Sequence, residues 1–245
     1  MRSIALDQLT GFVDERFFAA GDLTRLALAV TVAAAAFAVG ADPVWRHLRY
    51  LVTTVHELGH VVVGWFVGRR VQSVRLHHDT SGLTVTSGRA TGPGIFFLYV
   101  AGYPAPAVAG FFILWAVIYR RAGWAMAVLL VLLLVALLLV RNVFGAVIIL
   151  AQIAAFGGVW VWNEPRVLAA VLTLAGSVLA LGGLRACLDL VGTQRRRGSK
   201  TSDAAILGRQ TRLGAAFWAY AFLALSLLLV GVTGLMLYAQ SATLS

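Results

Sequence analysis

The stretch Leu51-Val52-Thr53-Thr54-Val55-His56-Glu57-Leu58-Gly59-His60-Val61-Val62-Val63-Gly64-Trp65-Phe66 decides how this chain is read. It is apolar enough to belong in a bilayer, yet it carries two imidazoles and a carboxylate. On a helix, His56 and His60 project from one face and can hold one metal ion. Glu57 is then placed to act as a general base on a water at that ion. Such groups are costly in lipid and mark functional sites there. In a shuffled chain of this composition the HExxH spacing would arise on the order of one time in a thousand. The competing reading is a polar cluster that only packs this helix against its neighbours.

Outward from this segment, 60% of the 245 residues are hydrophobic and 12% are charged. A soluble domain has roughly half and a quarter, so the chain is expected to be an integral membrane protein. Apolar segments run from end to end, which implies one polytopic domain over 1–245. Asp7, Asp14 and Glu15 interrupt the N-terminal region, so no cleaved signal peptide is expected. The single cysteine, Cys187, lies in an apolar run and can form no intrachain disulfide. A net charge of +10 would suggest nucleic acid for a soluble protein; here membrane topology explains it, and no nucleic-acid partner is expected.

Seven apolar spans can be drawn, at 24–41, 47–68, 94–118, 123–140, 143–162, 167–192 and 213–239, each near the ~20 residues a bilayer requires. The fold class is therefore an all-α polytopic membrane protein of about seven helices, with a small β-hairpin after the second. The short break at Arg141-Asn142 reads as a loop, a kink or a re-entrant turn. With seven crossings, Arg2, Arg16, Arg25, Arg69, Arg70, Arg75, Arg89, Arg141, Arg195, Arg196, Arg197, Lys200, Arg209 and Arg212 share one side. Arg46, Arg49, Arg120, Arg121 and Arg166 lie on the other. The positive-inside rule then puts the N-terminus in the cytoplasm and the C-terminus outside.

Residues 69–93 alone have strand character. Val71–Leu76 and Leu83–Thr86 are rich in β-branched residues, and Asp79-Thr80-Ser81-Gly82 reads as a turn. The segment is either a solvated connector or a hairpin whose free edge accepts an extended substrate. His77 and His78 read as solvated hairpin residues. In the third span, Gly102-Tyr103-Pro104-Ala105-Pro106 predicts a kink that either lines a cavity or packs against a neighbour.

A tetrahedral zinc site needs a third protein ligand. Glu164 is expected on the far side of the membrane. The extended HExxHxxGxxH pattern fails, with Val63 and Phe66 at its last two positions. An aspartate is left, either Asp189 in the sixth span or Asp203 after the basic loop. Depth slightly favours Asp189, whose competing role is an i,i+4 ion pair with Arg185. The competing role of Asp203 is a helix cap shared with Ser202. Arg195-Arg196-Arg197 reads as an anchor to anionic headgroups.

Val55-His56-Glu57-Leu58-Gly59-His60, the strand-like loop behind it and Ala101-Gly102-Tyr103 resemble the site-2 protease family of intramembrane zinc metallopeptidases. Arg141-Asn142-Val143-Phe144-Gly145 and Ser202-Asp203-Ala204 resemble its small bacterial branch of peptidase-like membrane proteins. The resemblance covers about residues 50–215. It implies Zn(2+) on His56 and His60, Glu57 as base, and cleavage of membrane-embedded protein substrates in a bacterial plasma membrane. The family's Asn-Pro…Asp-Gly pattern is absent, since Leu190 follows Asp189 and Ala204 follows Asp203. The Ser-Asp-Ala segment points to Asp203 as third ligand. The expected activity is that of a metalloendopeptidase. Alternatives are an inactive protease-like protein that binds partners or metal, and a small-solute or metal transporter.

Overall fold

Runs of Leu, Val and Ala with few charges have no polar face to offer water, so in lipid each closes its backbone hydrogen bonds within a helix. A computed structural model of the chain describes residues 21–196 and 198–244 together with 11, 16 and 17. Asp7, Asp14 and Glu15, and Arg2 and Arg197 of the charge pattern, lie outside the described residues. In order, the elements are helices α1 (Arg25–Gly40) and α2 (Asp42–Phe66), strands β1 (Arg70–Leu76) and β2 (Gly82–Ser87), then helices α3 (Pro93–Ala101), α4 (Ala105–Ile118), α5 (Ala122–Leu139), α6 (Val143–Trp162), α7 (Pro165–Arg196), α8 (Asp203–Thr211) and α9 (Ala215–Thr243).

All seven apolar stretches are helical, but they do not make seven crossings. Four helices, α5, α6, α7 and α9, are long and apolar enough to span a bilayer alone. The pairs α1–α2 and α3–α4 bend by 101° and 64°, and counting each as one broken span gives up to six. The first bend has a local cause. α1 has 16 residues, about 24 Å at 1.5 Å per residue, and Asp42-Pro43 starts a new helix directly after it. The second bend falls where Pro104 has no N–H to donate to Val100.

The two ends of the described helices come together. Arg25 donates to the Ser241 carbonyl at 2.8 Å, and Arg120 pairs with Asp22. The start of α1, the end of α4 and the end of α9 thus share one face, whereas seven crossings would have separated the two ends.

The core lies where α1, α2, α4 and α5 surround the N-terminal half of α7, with Trp45, Val52, Met126, Leu133, Leu172 and Leu179 buried together. α4 crosses α7 glycine on glycine: a Cβ on Gly110 would stand 2.5 Å from the Gly176 carbonyl oxygen. Small residues of this kind let membrane helices approach where no hydrophobic driving force separates lipid from protein. A second cluster, containing Cys187, Leu190, Ala204, Leu207 and Phe222, ties α7 to α8 and α9.

β1 and β2 form an antiparallel hairpin in which Val74 faces Thr84. It lies back along α2, held by Thr53 Oγ1 on the Thr80 carbonyl at 2.8 Å and by Tyr50 Oη on that of His78 at 2.9 Å. The Arg141-Asn142 break is an extended segment on the outer edge of β1. Val140 bridges Val74 in parallel, and Arg141 N–H donates to the Val74 carbonyl at 2.9 Å. Asn142 bonds both backbone groups of Leu76, donating to O at 2.7 Å and accepting from N at 3.3 Å. One edge of the hairpin is therefore covered. Among the described residues nothing pairs with the outer edge of β2.

Candidate metal centre

α2 presents His56 and His60 one turn apart, as their spacing dictates, towards the break between α3 and α4. His60 Nδ1 lies 2.8 Å from the Leu98 carbonyl oxygen. A carbonyl only accepts, so Nδ1 carries the proton and Nε2 keeps a lone pair directed into the site. Gly102 lies against the His56 imidazole, where an added Cβ would stand 2.7 Å from Cε1. The rings are edge to face, centroids 4.9 Å apart, and Tyr103 closes on His56 at the same distance and attitude. Tyr103 in turn stacks on Phe222 of α9.

Asp203 enters from the opposite direction. It is the first residue of α8, and Ser202, not Asp203, caps that helix by accepting from Ala205 N–H at 3.3 Å. The cap is itself held: Gln194 Nε2 donates to Ser202 Oγ at 3.1 Å, and Ser199 Oγ accepts the Ser202 N–H at 3.1 Å. Freed from capping, the Asp203 carboxylate points inward, and its buried Oδ2 has no hydrogen-bond partner among the described residues.

The three donor atoms form a nearly equilateral triangle. His56 Nε2 and His60 Nε2 are 3.3 Å apart, and Asp203 Oδ2 lies 3.4 Å from the first and 3.3 Å from the second. A tetrahedral ion with bonds of about 2.0–2.1 Å has ligand–ligand edges of about 3.3–3.4 Å. The space for it is kept by Gly102, where a Cβ would stand 2.6 Å from His60 Nε2, 2.7 Å from His56 Cε1 and against Asp203 Oδ2. Gly102 is ordinary right-handed helical backbone, φ −60° and ψ −69°, so room, not conformation, requires glycine there. An orphaned buried carboxylate oxygen, two imidazole nitrogens and a cradle that a methyl would fill fit a divalent cation of zinc's size. The site is nearly closed: the side chains of His56, His60 and Asp203 are 20%, 7% and 10% exposed.

Glu57 leaves the same helix turn on the hairpin side. Its Oε2 accepts from Thr84 Oγ1 at 2.6 Å, and Gly82 gives it room. Asp189 is elsewhere. It lies 3.4 Å from Arg49, both half-exposed, while Arg185 pairs with Asp42 and lies over the Trp45 ring. In place of the competing Arg185–Asp189 pair there are two pairs that each tie α7 to α2. His77 bonds Ser81, His78 packs on Phe144 and His47 bonds the Pro43 carbonyl. None of them reaches the centre. In the hairpin turn, the Ser81 hydroxyl and N–H hold the Asp79 carboxyl below the usual carboxylate range.

The particular roles of Gly102, Thr84, Gly82, Gln194 and Ser199 were not legible. The Gly102-Tyr103-Pro104 break marked a kink without saying what it faced, and the Ser202-Asp203-Ala204 and hairpin segments were singled out without these contacts.

The chain is thus a multi-span helical protein with a buried His–His–Asp cluster of the kind that can hold a metal ion. The chain is a member of the Peptidase M50B-like family, whose model matches residues 28–233, and so falls within the site-2 protease group of intramembrane metallopeptidases. No curated protein and no solved structure matches it.

Proposed function

We propose that the protein is a zinc-dependent intramembrane endopeptidase, with His56, His60 and Asp203 as metal ligands and Glu57 as general base. The observation that carries this reading is the triangle of donor atoms with 3.3–3.4 Å edges over the open backbone of Gly102. Zinc bound there would supply a Lewis acid that activates water and polarises the scissile carbonyl. Glu57 takes the proton from the attacking water as its oxygen bonds to the carbonyl carbon. The same carboxyl then delivers a proton to the amide nitrogen as the C–N bond breaks. The Leu98 carbonyl holds the His60 ring in the tautomer that keeps Nε2 a ligand.

A membrane-embedded substrate hides its carbonyls in helical hydrogen bonds and has to unwind before cleavage. The free edge of β2, one residue pair from Glu57, supports binding of the unwound segment as an added strand.

The whole chain is one integral membrane domain in a bacterial plasma membrane. With α1–α2 as a single crossing, Arg16, Arg25, Arg120, Arg121 and Arg166 lie on the face shared by the two ends of the described chain. Arg69, Arg70, Arg89, Arg141, Arg195, Arg196, Lys200, Arg209 and Arg212 lie towards the opposite face. By the positive-inside rule that opposite face is cytoplasmic, which reverses the side expected for the N-terminus from seven crossings and keeps the C-terminus outside, and the metal centre lies near it.

The test is zinc content of purified protein together with cleavage of a labelled single-span test helix carrying a central Gly-Pro break. Glu57→Gln keeps zinc and abolishes cleavage, while His56→Ala loses both. Equal cleavage by Glu57→Gln and wild type ends the base assignment. Protein that contains no zinc and takes none up ends the metal reading.

A further inference from the structure

We infer that Thr84 is the positioning residue for the general base, which makes the hairpin a part of the cleavage apparatus as well as a platform beside it. The inference rests on the role of Glu57 proposed above.

Thr84 Oγ1 lies 2.6 Å from Glu57 Oε2, the short separation of a hydroxyl on a carboxylate, and 3.4 Å from the Glu57 carbonyl oxygen. An ionised carboxylate has no proton to give, so the threonine donates. Among the described residues no other hydrogen bond reaches the Glu57 carboxylate. The rest of its setting is steric: a Cβ on Gly82 would strike the carboxylate and lie 2.7 Å from both Cγ and Cδ.

The contact follows from strand geometry. Successive side chains alternate, so Gly82, Thr84 and Thr86 share one face of β2. All three meet α2, Gly82 and Thr84 at Glu57 and Thr86 at Gly64, where a Cβ would be 3.9 Å from Thr86 Cγ2. A slip of one residue would turn Thr84 away from α2. Register is fixed at the turn by Thr53 on Thr80 and Tyr50 on His78, and at the end of β1 by Asn142 on Leu76. A long glutamate side chain has several rotamers, and a base has to stand within hydrogen-bond reach of the proton it takes. Thr84 selects the rotamer.

Thr84→Val keeps the shape and loses the hydroxyl, whereas Thr84→Ser keeps the hydroxyl and loses a methyl. If Thr84 positions the base, Thr84→Val lowers kcat for the test helix about ten- to a hundredfold, the factor a hydrogen bond to a charged group is worth. KM and zinc content stay unchanged, and Thr84→Ser stays within about threefold of wild type. A packing role predicts the reverse order.

A second readout needs no turnover. The chain has three glutamates, Glu15, Glu57 and Glu164. With carbon-13 at the glutamate carboxyls, the resonance that Glu57→Gln removes is the one that Thr84→Val shifts and Thr84→Ser leaves in place. Full activity or an unmoved resonance in Thr84→Val overturns the inference, even where Glu57→Gln is inactive. Wild type that leaves the test helix uncut sinks the protease reading, and the Thr84 inference with it.

Discussion

Replacing Gly102 with alanine adds one carbon at the place proposed for the metal. Its Cβ would lie 2.6 Å from His60 Nε2 and 2.7 Å from His56 Cε1. Ordinary carbon contacts begin at about 3.4 Å, so the rings would have to retreat by about 0.7–0.8 Å, where metal–ligand distances tolerate about 0.2 Å. Loss of one partner behind a ligand already costs ten- to a hundredfold in metal affinity, and here the ligands themselves are displaced. Zinc affinity is therefore expected to fall by at least about a hundredfold. The backbone gives no separate reason for failure, because φ −60° and ψ −69° suit alanine. Where such a position has room, Gly→Ala stabilises a fold by about 0.4–1 kcal/mol through the unfolded chain. The assay is zinc competition against a chromophoric chelator, with thermal melting by circular dichroism on the same samples. Gly157→Ala is the control, since nothing lies within 4 Å of a Cβ there. Gly102→Ala that melts like wild type and binds zinc as tightly would refute the cradle.

The carboxylate assignment is tested by Asp203→Ala and Asp189→Ala side by side. The first is expected to lose zinc; the second keeps it and forfeits only the half-exposed Arg49 pair, worth at most about 1 kcal/mol in melting stability. The opposite outcome would reinstate Asp189. Asn142→Ala removes both bonds that pin Leu76, and local opening of the hairpin should become easier by about 1–3 kcal/mol. Amide exchange would then quicken along 71–87 but not in the buried half of α7, and unchanged exchange would show that the third-strand contact does not hold the sheet.

The parts of the centre that repeat along one helix were legible from the sequence. His56, Glu57 and His60 follow the period of α2, and the hairpin follows β-branched composition with a turn between. Asp203 was harder, because depth was counted along two straight spans. α7 runs on to Arg196, and the chain then returns through 198–202 so that α8 starts over the C-terminal half of α2. A residue on that return has no depth that hydropathy can assign. The crossing count failed for a related reason. Asp42-Pro43 announces a helix start, but an apolar profile does not report the angle at which the new helix leaves.

Irregular backbone within a membrane persists only where protein covers it or where it lines a cavity, and here each break is put to use. Pro104 ends a turn, and the backbone around Gly102 comes close to both imidazoles: Leu98 O accepts a hydrogen bond from His60 Nδ1–H, and Gly102 lies against His56. Gly59 lets α2 come that close, since a Cβ there would lie 2.6 Å from that of Ala105 and 2.9 Å from the Ala101 carbonyl oxygen. The break at 140–142 gives β1 its outer neighbour, which fixes the register by which Thr84 meets Glu57. The turn at 198–202 delivers Asp203. Two interruptions of apolar sequence thus converge on one turn of α2 and the third holds the hairpin beside it, and each contributes a group that an unbroken helix would have kept for its own hydrogen bonds or turned towards lipid.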